Sequence, residues 1–276
     1  MLYSVIVPVR NEASILFETV PTVLAAASDA AEIIYVCNDC SDDSAAIILS
    51  LAGSRVQVVE ISTSGKTKAF NAGDRLASCF PRFYVDADTR LETETFSRLG
   101  QILISGEADL VVPRLDYDLS TATCLSRAMA EVWLSLPYAQ QLAFQSVIGV
   151  SEAGRGRWID FPDILGDDIF VAAMISPDRR KIDKSVTAVT QLPATFFGWV
   201  SMRTRWRRGE WALVRMGLPL PQPTGQRKAL LRCLLRPRNA IGAGGFILAR
   251  LLAGLICSLP SKRNPSWSPD RARARK

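Results

Sequence analysis

The sequence predicts an α/β protein whose mainly parallel sheet is flanked by helices on both faces. Three observations predict it. Apolar runs of strand length alternate with longer runs of helical period up to about residue 113. The early strand runs are apolar at nearly every position, as strands buried on both sides require. Polar clusters follow three of these runs, at 10–12, 38–43 and 86–88, where open α/β sheets bind ligands.

The elements follow in order. Strands are expected at 3–8 (YSVIVP), 32–38 (EIIYVCN), 56–61 (VQVVEI), 82–85 and 109–113 (DLVVP). Helices are expected between them at 14–27, 42–52, 66–77 and 93–104. In the second of these Asp42 supplies the cap, and Ile47, Ile48 and Leu51 share one face. The later half is less regular: a helical stretch at 121–144, a glycine-rich segment at 149–156, a short helix at 167–175 and an added strand at 185–190. A Trp- and Arg-rich helix occupies 195–216, and LPLPQPT follows as a linker. The expected division is a first domain over 1–217, a proline-rich linker over 218–227, a basic and apolar helical segment over 228–260 and a disordered basic tail over 261–276.

Composition narrows the chemistry. With 48% hydrophobic and 22% charged residues among 276, the chain folds. It contains no histidine, which removes Ser-His-Asp triads, His bases and HExxH zinc sites. The six cysteines are sparse and Met1 leads almost at once into a strand, so a reducing, cytoplasmic setting is expected. Cys37 and Cys40 form a CxxC pair with no second pair to complete a zinc site. A redox pair and ordinary strand-end packing are the remaining readings. The net charge of +6 is unevenly spread. Residues 1–202 hold 16 basic against 25 acidic side chains, whereas 203–276 hold 17 against Glu210 and Asp270 alone. An acidic body with a basic tail implies an anionic partner, phospholipid or nucleic acid.

The nucleotide motifs most easily recognised are absent. No GxGxxG follows the first strand. Gly65-Lys66-Thr67 looks like the end of a phosphate loop, but Glu60 stands where its first glycine belongs. Asp86-Ala87-Asp88 directly follows a strand. In extended chain, residues two apart point to one side. The two carboxylates there would hold Mg²⁺ or Mn²⁺ together with diphosphate oxygens, or merely solvate a turn.

The ordered series SVIVPVRNEA, VCNDCSDDS, KTKAFNAG, YVDADT, LGDD and RTRWRRGEW resembles family 2 of the glycosyltransferases, which have the Rossmann-like nucleotide-sugar-binding fold called GT-A. The resemblance extends over about 2–211. It implies that Pro8, Val9, Arg10, Asn11 and Glu12 surround the nucleotide base and ribose, and that Asp39 reads the base. Asn38 and Cys40 depart from the family's usual Asp and Gly in that segment. Lys66, Asn71 and Gly73 match the stretch lining the donor. Asp86 and Asp88 match the metal pair, Asp86 also lying near the ribose or sugar. Asp167 and Asp168 match an acidic pair at the acceptor side, with Asp168 as the general base. Arg205 and Trp206 match the end of a QxxRW-type motif, in which Met202 replaces Gln. Arg205 would contact the diphosphate; Trp158 and Trp206 would stack on a sugar or acceptor, or pack in the core.

The implied activity is inverting sugar transfer from a nucleotide-sugar, UDP-sugar by default, to a hydroxyl acceptor such as a lipid-linked sugar or glycan precursor of the cell envelope. A nucleotidyltransferase is the rival enzyme, but the loop after the first strand lacks its glycines. A nucleic-acid-binding protein is the rival outside enzymology, and the acidic body argues against it. Residues 240–259 carry one charge, Arg250, near their centre. That segment is expected to lie on an anionic membrane at its inner face, with spanning and packing onto protein as alternatives.

Overall fold

The computed structural model describes residues 2–140, 145–220 and 225–259. Eight strands form one sheet: β1 (Ser4–Val9), β2 (Glu32–Asn38), β3 (Gln57–Ile61), β4 (Arg82–Val85), β5 (Arg90–Leu91), β6 (Leu110–Asp118), β7 (Val147–Val150) and β8 (Arg180–Gln191). Among the described residues ten α-helices accompany them: α1 (Ala13–Ala26), α2 (Ser44–Ala52), α3 (Lys66–Leu76), α4 (Thr95–Ile104), α5 (Cys124–Leu134), α6 (Glu152–Arg155), α7 (Asp167–Met174), α8 (Phe196–Arg215), α9 (Gln226–Leu235) and α10 (Pro237–Ser258).

The strand order is β3-β2-β1-β4-β7-β6-β8-β5. β1 pairs in parallel with β2 and β4, and β2 with β3. Beyond β4 the sheet departs from the mainly parallel expectation. β7 runs antiparallel to both β4 and β6, and β5 antiparallel to β8. The sheet is therefore mixed. The strand that produces the reversal, β7, lies partly in the segment read from sequence as glycine-rich. Gly149 is needed there because a Cβ would meet the Phe83 ring at 2.7 Å.

The parallel half explains why its strands lack alternation. Val5, Val7 and Val9 of β1 pack in one core with Leu16, Val20 and Val23 of α1, around which Tyr3, Phe83 and Phe96 form a ring cluster. Ile6, between them, faces the opposite side and meets α3 at Gly73. Both faces are buried, so both parities are apolar.

The chain forms two compact units. Among the described residues, one comprises 2–117 and 145–190 and holds the sheet; the other comprises 118–140, 191–220 and 225–259 and is helical. This division falls elsewhere than the expected boundary near 217. The reason is α10, which packs against α5 and α8 rather than standing apart. Trp133, Trp199 and Phe246 meet edge-on there, one from each of these helices. Residues 221–224 of the expected linker, 141–144 of the expected long helix and the tail 261–276 lie outside the described residues.

Candidate active site

The carboxyl ends of β1, β2 and β4 hold the first three polar clusters together. Arg10, just past β1, bonds Asp39, just past β2, with Nη2 3.1 Å from Oδ2, and also bonds Ser64. Asn11 and Asp39 both adopt left-handed backbone, at φ 53° and 52°. Asn and Asp tolerate that region best among residues with a Cβ. Asn11 Oδ1 accepts from the Ser41 N–H at 2.7 Å, tying the first loop to the second. The Glu12 N–H donates to Ser44 Oγ at 3.1 Å. Pro8 and Val9 are buried in β1, opposite Val36 and Cys37.

Asn38, the substituted position, is fully buried and structural. Its Nδ2 donates to the Gly65 carbonyl at 2.7 Å and its Oδ1 accepts from the Gly65 N–H at 3.1 Å. Gly65, at φ 145°, turns the chain into α3. This clamp delivers Lys66 to the site. Lys66 Nζ lies 2.7 Å from Asp86 Oδ1 and 2.8 Å from Asp167 Oδ2. Burial alone would lower its pKa. The Asp167 and Asp86 carboxylates outweigh burial and hold it well above the usual lysine range.

Asp167 and Asp168 begin α7, where the helix dipole favours negative charge. Gly166, at φ 115°, makes the turn into that helix. The two acids are not equivalent. Asp167 is ion-paired. Asp168 is raised to about 7, first by burial and then by the Asp167 charge, with Lys66 acting the other way. Tyr117, on the far part of β6, is held above the usual phenol range by burial and by Asp168. Reading β6 only as 109–113 missed Tyr117. Its signal was the continued alternation of Arg114, Asp116 and Asp118 with Leu115 and Tyr117.

The remaining donor-side residues hold the scaffold. Asn71 bonds the Phe161 backbone in both directions, at 2.9 and 2.8 Å. At Gly73 a Cβ would meet Ile6 Cγ2 at 2.4 Å, so α3 lies close on β1. Trp158 is a buried core residue, with the rings of Phe161 and Phe170 and the Arg155 guanidinium around it. Arg155 fixes the following loop through the Trp158 and Ile159 carbonyls and is itself held by buried Asp74. Arg205 and Trp206 are half-buried on α8 in the second unit, where Trp206 packs 5.8 Å from Trp133.

Asp86 and Asp88 lie half-buried at the end of β4, and their oxygen donors fit a hard divalent cation. No group of three or more acidic, Cys or His residues converges to hold a metal among the described residues. Two carboxylates thus suit a cation that takes its other ligands from diphosphate and water. The Cys37 and Cys40 thiols share a hydrogen bond, which lowers Cys40 to about 7 and raises Cys37.

Comparison with solved structures places this fold among GT-A glycosyltransferases. The chain is similar to the mannosyltransferase PcManGT from Pyrobaculum calidifontis, solved with GDP-Man and Mn²⁺, with a TM-score of 0.60 and 19% identity over 94% of this chain and 76% of that one. It is also similar to S. aureus TarS, with a TM-score of 0.54 and 15% identity over 74% of this chain but only 39% of TarS. The 1–349 piece of TarS with UDP-GlcNAc gives a TM-score of 0.55 and 13% identity over 91% of each chain. No curated protein sequence matches the chain. The profile described as Glycosyl transferase family 2 matches residues 4–157, more than half of the sequence, and the chain belongs to that family.

Proposed function

We propose that this glycosyltransferase moves a sugar with inversion from a nucleotide-sugar, UDP-sugar by default, to a hydroxyl of a lipid-linked sugar or glycan precursor in cell-envelope polysaccharide synthesis. The observation that carries this reading is the Lys66–Asp86–Asp167 ion triad with Asp168 beside it. It brings the donor and acceptor motifs of the family to one place.

Each residue then has a task. Asp39, tied to Arg10, reads the base, and Pro8, Val9 and Glu12 shape the surrounding loop. Asp86 and Asp88 would hold Mg²⁺ or Mn²⁺, which would supply electrostatic stabilisation of a leaving diphosphate. Lys66 holds Asp167 in place through their ion pair. Asp168 takes the acceptor hydroxyl proton as that oxygen attacks the sugar carbon. A carboxylate raised to about 7 is a better base than an ordinary one. The family resemblance would assign Arg205 and Trp206 to the diphosphate or acceptor. The work takes place at the cytoplasmic face of the plasma membrane.

The test separates binding from chemistry. Asp168→Asn should bind UDP-sugar with unchanged affinity and transfer at least about a hundredfold more slowly. Full activity in Asp168→Asn together with loss in Asp167→Asn would assign the base to the wrong member of the pair.

A further inference from the structure

We propose that α9 and α10 form a face that docks onto an anionic phospholipid surface without crossing it. The proposal deepens the membrane part of the reading above and is independent of the donor.

Helix α10 is long and apolar enough to cross a membrane, at 22 residues and about 33 Å. Its two sides differ. The inner side is built of Gly242, Ala243, Phe246, Ala249 and Ala253, all buried. At Gly242 a Cβ would meet the Ala128 carbonyl oxygen of α5 at 2.2 Å, and at Gly254 one would meet Arg207 of α8 at 3.2 Å. The outer side is large and apolar. Ile241, Leu248, Leu251 and Leu255 recur at helical spacing and are 74%, 50%, 61% and 63% exposed. On α9, Leu231 and Leu235 are likewise exposed.

Charge names the occupant. Arg227, Lys228, Arg232, Arg236 and Arg238 are all exposed on or beside α9 and the start of α10. The sequence has no acidic residue between Glu210 and Asp270. A leucine face edged only with cations suits acyl chains beneath phosphate headgroups.

Packing excludes the span. α10 lies along α8, which carries Arg203, Arg205, Arg207, Arg208 and Glu210 through its middle. It also lies along α5, which carries Arg127 and Glu131. Carrying α10 through the hydrocarbon in this packing would take those charges to the same depth. The outer leucines instead reach the level of the headgroup boundary, with the Arg250 guanidinium over the Phe246 ring.

The test is flotation of the full-length chain with vesicles of phosphatidylcholine alone or mixed with phosphatidylglycerol. The wild type should float with the anionic vesicles and be released by alkaline carbonate. Leu251→Glu with Leu255→Glu should lower binding by about tenfold or more, with an unchanged circular dichroism spectrum and intact nucleotide-sugar binding. Arg232→Gln with Arg236→Gln should lower it about thirtyfold at low salt, and by less at high salt. If the leucine variant fails to fold, the carbonate and arginine arms still decide. Resistance to carbonate, with trypsin unable to reach Lys262 from outside sealed vesicles, would mean a span and overturn the proposal. So would absence from both vesicle types, with a dimer that Leu251→Glu dissociates; a second copy would then cover the face. Loss of nucleotide-sugar binding with flotation intact would count against the transfer reading alone.

Discussion

Lys66 is the residue on which the electrostatics of the site turn. It separates two carboxylates that would otherwise face each other in a partly dry site. Lys66→Gln should cost about 3 kcal/mol at pH 8, the scale for breaking a buried pair by removing one partner. Urea unfolding of wild type and variant at that pH measures it. Asp168 gives the complementary signature. Its folded pKa, about 7, lies well above the ordinary aspartate range. Activity should therefore require deprotonation, with kcat/KM falling about tenfold per unit below pH 7. The stability sign is opposite to that of an ion-paired acid. Between about 4 and 7 the native state binds the proton that the unfolded chain has released, so this group costs stability as pH rises. Asp168→Asn should raise Tm at pH 8 and lose that advantage toward pH 4, which calorimetry across pH would register.

Two hydrogen-bond clamps set the elements around these residues. Asn38 fixes the turn before α3 to the end of β2, and Asn71 fixes the 155–161 loop to α3. Asn38→Ala should cost about 2 kcal/mol, because it strands the buried Gly65 amide, while the Gly65 carbonyl keeps the Ala69 N–H. It should also weaken donor binding, since Lys66 is the next residue; denaturant melts and calorimetric titration test the two halves. Gly73→Ala should cost about 1–3 kcal/mol through overpacking on Ile6. The parallel strands β1 to β4 were legible because two buried faces make continuous apolar runs. β7 was not, because four residues including a glycine carry too little pattern. The ordered motifs pointed to the Lys66, Asp86 and Asp167 neighbourhood, but nothing in the spacing told that Asn38 is a clamp or that Trp158 is core. Those roles depend on which backbone group or ring lies opposite, and that is set by tertiary packing.

At the scale of the whole molecule the chain joins an acidic sheet unit to a basic helical one, and the same asymmetry reads in the sequence as a body and a tail. The sequence placed the boundary at its prolines, whereas packing places α8 and α10 in one unit. The apolar stretch at 240–259 looked uniform because glycine and alanine count as apolar beside leucine; only the packing shows that Gly242, Ala243, Phe246, Ala249 and Ala253 face protein while Ile241, Leu248, Leu251 and Leu255 face outward. Removing α10 should accordingly uncover Trp133 and Trp199 and yield an aggregating chain rather than a soluble core, as light scattering of a chain ending at Pro223 would reveal. On the function proposed above, the sheet unit binds a nucleotide-sugar through Asp86 and Asp88 at the end of β4. Calorimetric titration of UDP- and GDP-sugars, with and without Mn²⁺, into wild type and Asp88→Ala tests it most directly. Binding should be saturable, need Mn²⁺ and disappear in Asp88→Ala while the unfolding temperature holds. Binding of equal strength in the variant, or no binding of any nucleotide-sugar by the wild type with metal present, would contradict it.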